Sequence, residues 1–273
     1  MKNVKNIMQM SAGENFIIML DSDGSAWSLG YNGYGQLGID STTTRSLPMK
    51  IKNEKGAKLT DVKEVATGRI HTVILRKDGT AWAVGYNGYG QLANGTTDRK
   101  GLIVQMAVSE TEKVTEIKHI SAAGDTSTLI TTSGMYVSGR NDNGALFTKD
   151  TNTRVFATLV EENKEIFTCA NTKNYEGAQA GVIVNDEGKL WTVGYNGYGQ
   201  LANGTVENLI TPWSISKLKL NVNENNIINL EKIGDTSTIK YNLSMNFNLL
   251  TDEIPGAKVT FKSMDEEVAT VIN

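Results

Sequence analysis

The sequence predicts an all-β protein made of about four repeated units, and three observations support this. The heptapeptide YNGYGQL occurs three times without change, at residues 31–37, 86–92 and 195–201. The first two copies start 55 residues apart and the next two 109, about twice that spacing, and a degenerate copy, RNDNGAL, fills the gap at residues 140–146. Glycine is frequent at 27 residues and proline rare at 3, which suits many tight turns. A repeat of about 55 residues predicts stacked or radially arranged units.

Each unit contains a predicted β-hairpin. In the second unit, an apolar run at residues 71–75 precedes Asp78-Gly79, and another run follows at residues 81–85. The other units align with it and carry Asp-Gly, Ser-Gly or Glu-Gly at the same place. Glycine supplies the positive φ that a two-residue primed turn requires. The sequence therefore predicts two-residue turns between strands of about five residues.

A large aromatic residue recurs in the second strand of each predicted hairpin. Trp27, Trp82 and Trp191 occupy this position in three units, and Tyr136 occupies it in the other. Burying a ring of this size removes about 150–250 Å² from water, worth roughly 4–6 kcal/mol before entropy costs. We expect these rings to form the core rather than a binding site.

The combined pattern resembles the regulator of chromosome condensation repeat. It consists of Ala-Gly, an apolar run beginning His71-Thr72, then Asp78-Gly79, Trp82 and the Asn-x-x-Gly-Gln-Leu of the heptapeptide, and it covers about residues 4–218. The resemblance implies the blades of a β-propeller. It also implies that function must be argued from the site, because the family includes a nucleotide exchange factor for a small GTPase, a secreted β-lactamase inhibitor and bacterial surface proteins.

Four units predict an open or incomplete propeller. Propellers contain about four to eight blades, and relatives with units of this length generally close with seven. An open arc leaves unpaired strands at both ends, which invites edge-to-edge self-association. Three completions are consistent with the sequence: further blades upstream, a second chain, or a cap formed by the C-terminal segment.

The C-terminal segment predicts a second domain. Residues 1–218 carry the propeller repeats, whereas residues 219–273 lose the period and include VTFKSMDEEVATV at residues 259–271. This stretch is similar to the group 2 bacterial immunoglobulin-like domain. A complete sandwich of that kind needs about 80–100 residues, so we expect a truncated immunoglobulin-like β-sandwich. Such domains resemble spacers in bacterial surface proteins, which implies an extracellular or cell-surface location on a bacterium; the alternative is the cytoplasm.

Composition argues against several classes of partner. The net charge is −3 and the isoelectric point about 5.6, with Lys and Arg scattered, so we expect no nucleic-acid partner. No apolar run approaches the roughly 18 residues that span a bilayer. Cys169 is the only cysteine, which excludes an internal disulfide, and its neighbours predict a thiol in a buried strand.

The sequence contains no pattern typical of catalysis. The only histidines, His71 and His119, lie in or beside apolar runs and read as structural. Without further imidazoles or thiols there is no zinc site at ligand spacing. The glycine-rich heptapeptide lacks the Lys-Ser/Thr of a phosphate-binding loop. We expect a protein that is not an enzyme and has no catalytic residue, cofactor or metal site.

The candidate binding residues are the tyrosines of the three identical heptapeptides, which would recur on one rim of the propeller: Tyr31, Tyr34, Tyr86, Tyr89, Tyr195 and Tyr198. Tyrosine offers a large contact area at low entropy cost and is favoured in interfaces. The sequence thus predicts an interaction protein whose rim binds a protein or glycan partner at the bacterial surface. The alternatives are a structural spacer without a partner, and an exchange-factor-like or enzyme-inhibiting propeller. The rings could instead pack between neighbouring blades.

Overall fold

A computed structural model describes Val4 and residues 6–132, 134–160, 166–173, 179–185 and 190–215 of the 273-residue chain. In these ranges the regular elements are all strands, which form four sheets of four strands each. The predicted all-β class and the four repeats are confirmed. The segment predicted to be immunoglobulin-like, residues 219–273, lies outside the described residues.

Each sheet is an antiparallel meander of four consecutive strands, and we call it a blade. The strands are, by blade, β1 Ile7–Ala12, β2 Phe16–Asp21, β3 Ala26–Gly30 and β4 Arg45–Lys50; β5 Val62–Thr67, β6 His71–Arg76, β7 Ala81–Gly85 and β8 Lys100–Gln105; β9 Ile117–Ala123, β10 Thr126–Thr131, β11 Met135–Gly139 and β12 Arg154–Val160; and β13 Ile166–Lys173, β14 Gln179–Asn185, β15 Leu190–Gly194 and β16 Leu209–Ile215.

The blades are arranged around their first strands. Strands β1, β5, β9 and β13 contact one another in sequence, so they form the inner ring, and the fourth strand of each blade is outermost. The register is the same in every blade: the second strand pairs with the first and third, and the first strand carries a bulge after its first residue. The heptapeptide follows the third strand in each blade, so all four copies lie at the same end of the sheets.

The hairpins are present, but the predicted turn length is wrong in the first two blades. In the first blade, Asp21 N–H donates to the Ser25 carbonyl, which leaves three loop residues, and Gly24 adopts φ 80°. The second blade repeats this, with Arg76 bonded to Thr80. A three-residue loop with its last residue left-handed is the common type I turn with a bulge. In these two blades glycine is therefore required at the end of the loop. In the third blade the Thr131 N–H donates to the Gly134 carbonyl, which leaves two loop residues as predicted.

The core lies between blades rather than within one. One apolar cluster joins Ile18 and Leu37 of the first blade to Val65 and Ile74 of the second, and similar clusters fill the next two gaps. Each cluster is contiguous, as expected for the facing sheets of a propeller.

The recurring aromatic rings lie at the border of these clusters and are half-buried. Trp82 packs against the cluster between the first two blades, and its Nε1 donates to Thr80 Oγ1 at 2.9 Å. Trp27 donates to Asp21 Oδ2 at 2.7 Å, and the Lys50 ammonium lies 4.9 Å from its ring centroid. The indole N–H must reach a polar partner, so the ring takes a border position instead of the full burial that we expected.

Sheet faces, rather than unpaired strand edges, terminate the arc of described blades. Neighbouring blades pack face to face, and the strand edges of every described blade point inward and outward instead. Edge-to-edge self-association stays a prediction. Among the described residues, no helix has the length and apolar character needed to cross a membrane.

Candidate partner-binding surface

The heptapeptide folds as a turn that its own amide side chains hold. In the second blade, Asn87 is fully buried, and its Oδ1 accepts the N–H of Leu92 at 2.9 Å. Its Nδ2 donates to the Thr96 carbonyl at 2.8 Å, which fastens the following loop. The Oε1 of Gln91 accepts the N–H of Tyr89 at 3.0 Å. Asparagine and glutamine are thus required at these positions to shape the turn and to position the second tyrosine.

The same asparagine bond occurs in the other three blades. The Oδ1 atoms of Asn32, Asn141 and Asn196 each accept a leucine N–H at 2.9 Å. The degenerate copy at residues 140–146 is therefore a structural equivalent of the three identical copies, as the spacing predicted.

The glycine at the third heptapeptide position leaves room for the tyrosine side chain at the first position. A Cβ placed on Gly88 would lie 2.1 Å from the Tyr86 hydroxyl oxygen, and Gly33 and Gly197 stand in the same relation to their own tyrosines. The first tyrosine of each identical copy therefore folds back over its glycine. The third blade has Arg140 and Asp142 at these two positions, and they form an ion pair at 2.5 Å instead.

Four of the predicted tyrosines form one continuous row, which we call the tyrosine ladder: Tyr31, Tyr34, Tyr86 and Tyr89. Successive ring centroids lie 6.3, 5.2 and 6.3 Å apart, with interplanar angles of 74–75°. These are edge-to-face contacts, which orient the rings without covering them. The middle contact, from Tyr34 to Tyr86, joins the first blade to the second.

None of the six predicted tyrosines is buried. Tyr31 is 40% exposed and Tyr198 77%, and the other four are half-buried. Tyr195 and Tyr198 form a separate pair with centroids 6.1 Å apart. In the third blade, Arg140 and Asn143 stand at the tyrosine positions, so the structure brings four of the six together and leaves two apart.

Two arginines border the ladder: Arg140 lies next to Tyr89, and Arg69 lies next to Tyr86. The guanidinium of Arg140 lies 4.9 Å from the Tyr89 ring centroid, and that of Arg69 lies 6.0 Å from the centroid of Tyr86. Arg69 also pairs with Asp125 at 3.2 Å and with Glu14 at 3.7 Å. Guanidinium groups over aromatic faces are typical of protein interfaces.

Burial favours the neutral form of the Tyr86 hydroxyl. Burial raises the pKa of Tyr86 above its ordinary value, and the nearby Tyr89 and Asp125 act in the same direction. A neutral phenol both donates and accepts a hydrogen bond. The ladder therefore combines apolar ring area with polar tips that suit a mixed protein surface.

Sequence reasoning named the tyrosines as binding residues, which stays a prediction, and it did not consider the arginines. Arg140 occupies the position of Tyr86 in the aligned repeats, and that substitution was the available signal. Arg69 carries no such signal, because its proximity to Tyr86 depends on how the blades pack. In the described ranges, no group of three or more His, Cys, Asp or Glu side chains is arranged to hold a metal ion.

Comparison with known families identifies the repeat. The model of the regulator of chromosome condensation (RCC1) repeat matches residues 23–75, and a second model of this repeat matches residues 62–91. Residues 23–91 are therefore similar to the RCC1 repeat. The matched segments fall in the first two blades, and the third and fourth blades have the same turn geometry.

Known proteins with similar sequences are larger than this chain. The X-linked retinitis pigmentosa GTPase regulator of Canis lupus familiaris is 30% identical over 138 residues, which is 50% of this chain and 13% of that protein. The ultraviolet-B receptor UVR8 of Arabidopsis thaliana is 28% identical over 202 residues, 72% of this chain and 43% of the receptor. The chain therefore spans less than half the length of these relatives.

Solved structures support the RCC1-like propeller fold. Human WBSCR16 superposes with a TM-score of 0.65 at 18% identity, covering 80% of this chain and 55% of that one. Prp20p from Saccharomyces cerevisiae gives a TM-score of 0.62 at 20% identity, covering 80% and 52%. The four blades thus correspond to about half of these propellers.

Proposed function

We propose that this chain is a non-enzymatic interaction protein that binds a protein partner through the tyrosine ladder. The observation that carries the proposal is the partly exposed row of rings from Tyr31 to Tyr89, oriented by edge-to-face contacts across two blades. Rings held in place before binding lose little entropy when a partner covers them. Exposed tyrosines next to arginines are the residue types that dominate binding energy in interfaces.

RCC1-like relatives support a role in protein binding. The structural report on Prp20p describes its binding to Gsp1p and histones, and a second structure shows Kap60 bound to the same yeast protein. These partners belong to Prp20p. For this chain they favour a protein over a glycan as the ligand of the ladder, although a glycan could also stack on tyrosine faces.

A GTPase is the second candidate partner, and one observation favours it. The relative named a GTPase regulator is 30% identical to this chain over 138 residues. Under this alternative the chain would act as an exchange-factor-like propeller. An enzyme inhibitor would use the same binding surface, and a structural spacer would use none.

We also propose that the chain acts at the surface of a bacterium. The support is the resemblance of residues 259–271 to a bacterial immunoglobulin-like domain, which is common in surface spacers. The cytoplasm is the alternative. Treating intact source cells with a protease, followed by immunodetection of the chain, tests this. Release or loss of the chain from intact cells supports the proposal, and a chain that is cleaved only after lysis contradicts it.

A capture experiment tests the binding function. The native chain and a variant with Tyr34→Ala, Tyr89→Ala and Tyr198→Ala are immobilised and exposed to host and bacterial surface extracts. Captured proteins are identified by mass spectrometry, and glycans are tested separately on an array. We expect at least one protein that binds the native chain and is lost from the variant, because truncation removes most of the exposed ring area.

Two matched variants control the experiment. Phenylalanine at the same three positions keeps the rings and is expected to retain most of the binding. Lys55→Ala with Lys58→Ala changes exposed residues at the opposite end of the first blade and is expected to bind like the native chain. Thermal melting verifies folding of each variant. Equal capture by the native chain and the alanine variant would refute the ladder as the site.

A further inference from the structure

A third arginine, Arg99, borders the tyrosine ladder at the joint between the first and second blades. It directly precedes the outermost strand of the second blade, β8, yet its Nη1 donates to the Gly33 carbonyl of the first-blade turn at 3.0 Å. The backbone that follows it packs on the same turn, because a Cβ on Gly35 would lie 2.8 Å from Gly101 Cα. Arg99 is therefore held beside the ladder although it is exposed.

Arg99 differs from the other two arginines of the ladder in its charge balance. Arg69 and Arg140 each form an ion pair with a carboxylate of this chain. Arg99 forms none with any of the described residues. Its third-blade equivalent by register is the uncharged Thr153. Within the described residues, the first joint therefore has a positive charge without a counter-charge, in a chain whose net charge is −3.

A second hydrogen-bond donor lies next to the Arg99 guanidinium. The Tyr31 ring folds back over Gly33, and a Cβ on that glycine would lie 2.2 Å from the Tyr31 hydroxyl oxygen. The guanidinium and the hydroxyl therefore both lie beside Gly33. The Gly33 carbonyl accepts from one N–H group of Arg99, which leaves the other N–H groups for a ligand. A carboxylate suits this pair of donors, because its two oxygens accept parallel bonds from a guanidinium and a further bond from a phenol.

A partner that covers the ladder also covers Arg99, which favours an anionic group on the partner. A protein that packs on Tyr34 removes water from the neighbouring guanidinium. A charged group that loses water without an opposite charge costs free energy, and a hydrogen-bonded carboxylate offsets that cost. Beyond this turn the ladder continues as ring area. The spacings from Tyr34 to Tyr86 and from Tyr86 to Tyr89 add to about 12 Å, the length of about three or four extended residues.

We propose that the ladder binds an extended acidic segment of a partner protein. The carboxylate of one Asp or Glu of the segment lies on Arg99 and Tyr31, and its apolar residues lie along Tyr34, Tyr86 and Tyr89. This inference rests on the proposed function and names the kind of protein that the ladder takes. It also gives the segment a direction, because the charge lies at the first-blade turn and the ring area extends from there toward the third blade.

Selection from a phage-displayed library of random dodecapeptides, with the full chain as bait, tests the proposal. The native chain is expected to enrich peptides in which Asp or Glu stands within about four residues of an apolar or aromatic residue. Arg99→Glu reverses the charge beside the turn, so it is expected to lose these peptides and to enrich Lys or Arg instead.

The affinity of a peptide selected on the native chain is then measured by fluorescence polarisation. Arg99→Thr introduces the residue of the third-blade equivalent and is expected to raise the Kd about tenfold or more, because a charged hydrogen bond is lost. Arg99→Lys keeps the charge but not the planar fork, so it is expected to restore part of the affinity.

Lys55→Glu is the matched control, because it makes the same change of net charge at the opposite end of the first blade. It is expected to select the same peptides as the native chain, and thermal melting verifies the folding of each variant. Selection of the same acidic peptides by the native chain and by Arg99→Glu overturns the proposal. So does a native chain that enriches only peptides without Asp or Glu, or no peptide at all.

The variant with Tyr34→Ala, Tyr89→Ala and Tyr198→Ala separates this inference from the proposed function. It is expected to lose the acidic peptides together with the ring area. If it loses them while Arg99→Glu keeps them, the ladder is a binding site and only the acidic chemistry of the partner is wrong. If it selects the same peptides as the native chain, the ladder is not the site, and the proposed function fails together with the inference.

Discussion

A buried histidine between the second and third blades makes stability depend on pH. His71 is fully buried, and its Nε2 lies 2.9 Å from Ser127 Oγ. The Ser127 hydroxyl donates its only hydrogen to the Gln91 carbonyl, so it must accept from His71. The hydrogen of the neutral imidazole is therefore on Nε2, and Nδ1 is buried with no hydrogen-bond partner among the described residues.

Burial lowers the pKa of His71 from 6.5 to about 4. The nearby Asp125 carboxylate raises the pKa and the Arg69 guanidinium lowers it, and desolvation is the largest of these effects. The unfolded chain therefore binds a proton at His71 near pH 6.5, whereas the folded chain binds it only near pH 4. Because the unfolded state binds more protons in this window, the free energy of unfolding falls as the pH falls.

The size of the effect follows from the pKa shift. Each pKa unit corresponds to about 1.4 kcal/mol, so His71 removes about 3 kcal/mol of stability in all between pH 6.5 and pH 4. Between pH 7 and pH 5 alone, the expected loss is about 2 kcal/mol. This is a large fraction of the stability of a typical domain, which is about 5–15 kcal/mol.

Urea unfolding at pH 7, 6 and 5 measures the effect. The native chain is compared with His71→Phe, which introduces the residue found at the equivalent position, Phe16. The variant is expected to have a free energy of unfolding that changes by about 2 kcal/mol less between pH 7 and pH 5. His119→Gln in both chains removes the other histidine, which is exposed and lies 3.6 Å from Glu64. Equal pH slopes in the two chains would refute the reasoning, and an NMR titration of His71 gives the pKa directly if the variant does not fold.

Three further predictions concern the heptapeptide, with urea unfolding as the common measurement. Gly90→Ala should lower stability by about 3 kcal/mol or more because its methyl group meets Val155, whereas Gly199→Ala should cost only about 1 kcal/mol for a similar φ; equal losses would contradict the assigned contact between blades. Asn87→Ala should cost about 2–4 kcal/mol because a buried leucine N–H and several loop contacts lose their partner, and a loss below about 1 kcal/mol would contradict this. Gly88→Ala should cost less than about 1 kcal/mol, since only a flexible ring must move, while weakening capture of the partner; unchanged capture would argue against the folded-back ring.

The repeat and the strands could be predicted because they depend on residues that are close together in the sequence. The identical heptapeptides and the glycine after each apolar run identify the hairpins without knowledge of distant contacts. Even the degenerate copy could be placed, because Asn141 and Leu146 keep the positions that the turn requires. The turn length was predicted wrongly for the first two blades, since the same glycine serves both a two-residue turn and a three-residue loop.

Features that depend on blade packing could not be predicted from the sequence. No pattern in the neighbouring sequence indicates that Tyr34 contacts Tyr86 of the next blade, or that Arg69 lies over the Tyr86 ring. The half-burial of Trp82 has the same origin, because the ring borders a cluster that belongs to two blades.

Hydroxyl-radical footprinting of the captured complex tests the central claim most directly. The chain is labelled alone and with its partner, and the oxidation of each tyrosine is read by mass spectrometry. The proposed function predicts that Tyr34 and Tyr89 become protected while Lys55 and Lys58, at the opposite end of the first blade, keep their labelling. Protection at the opposite end, with the ladder as reactive as in the free chain, would contradict it.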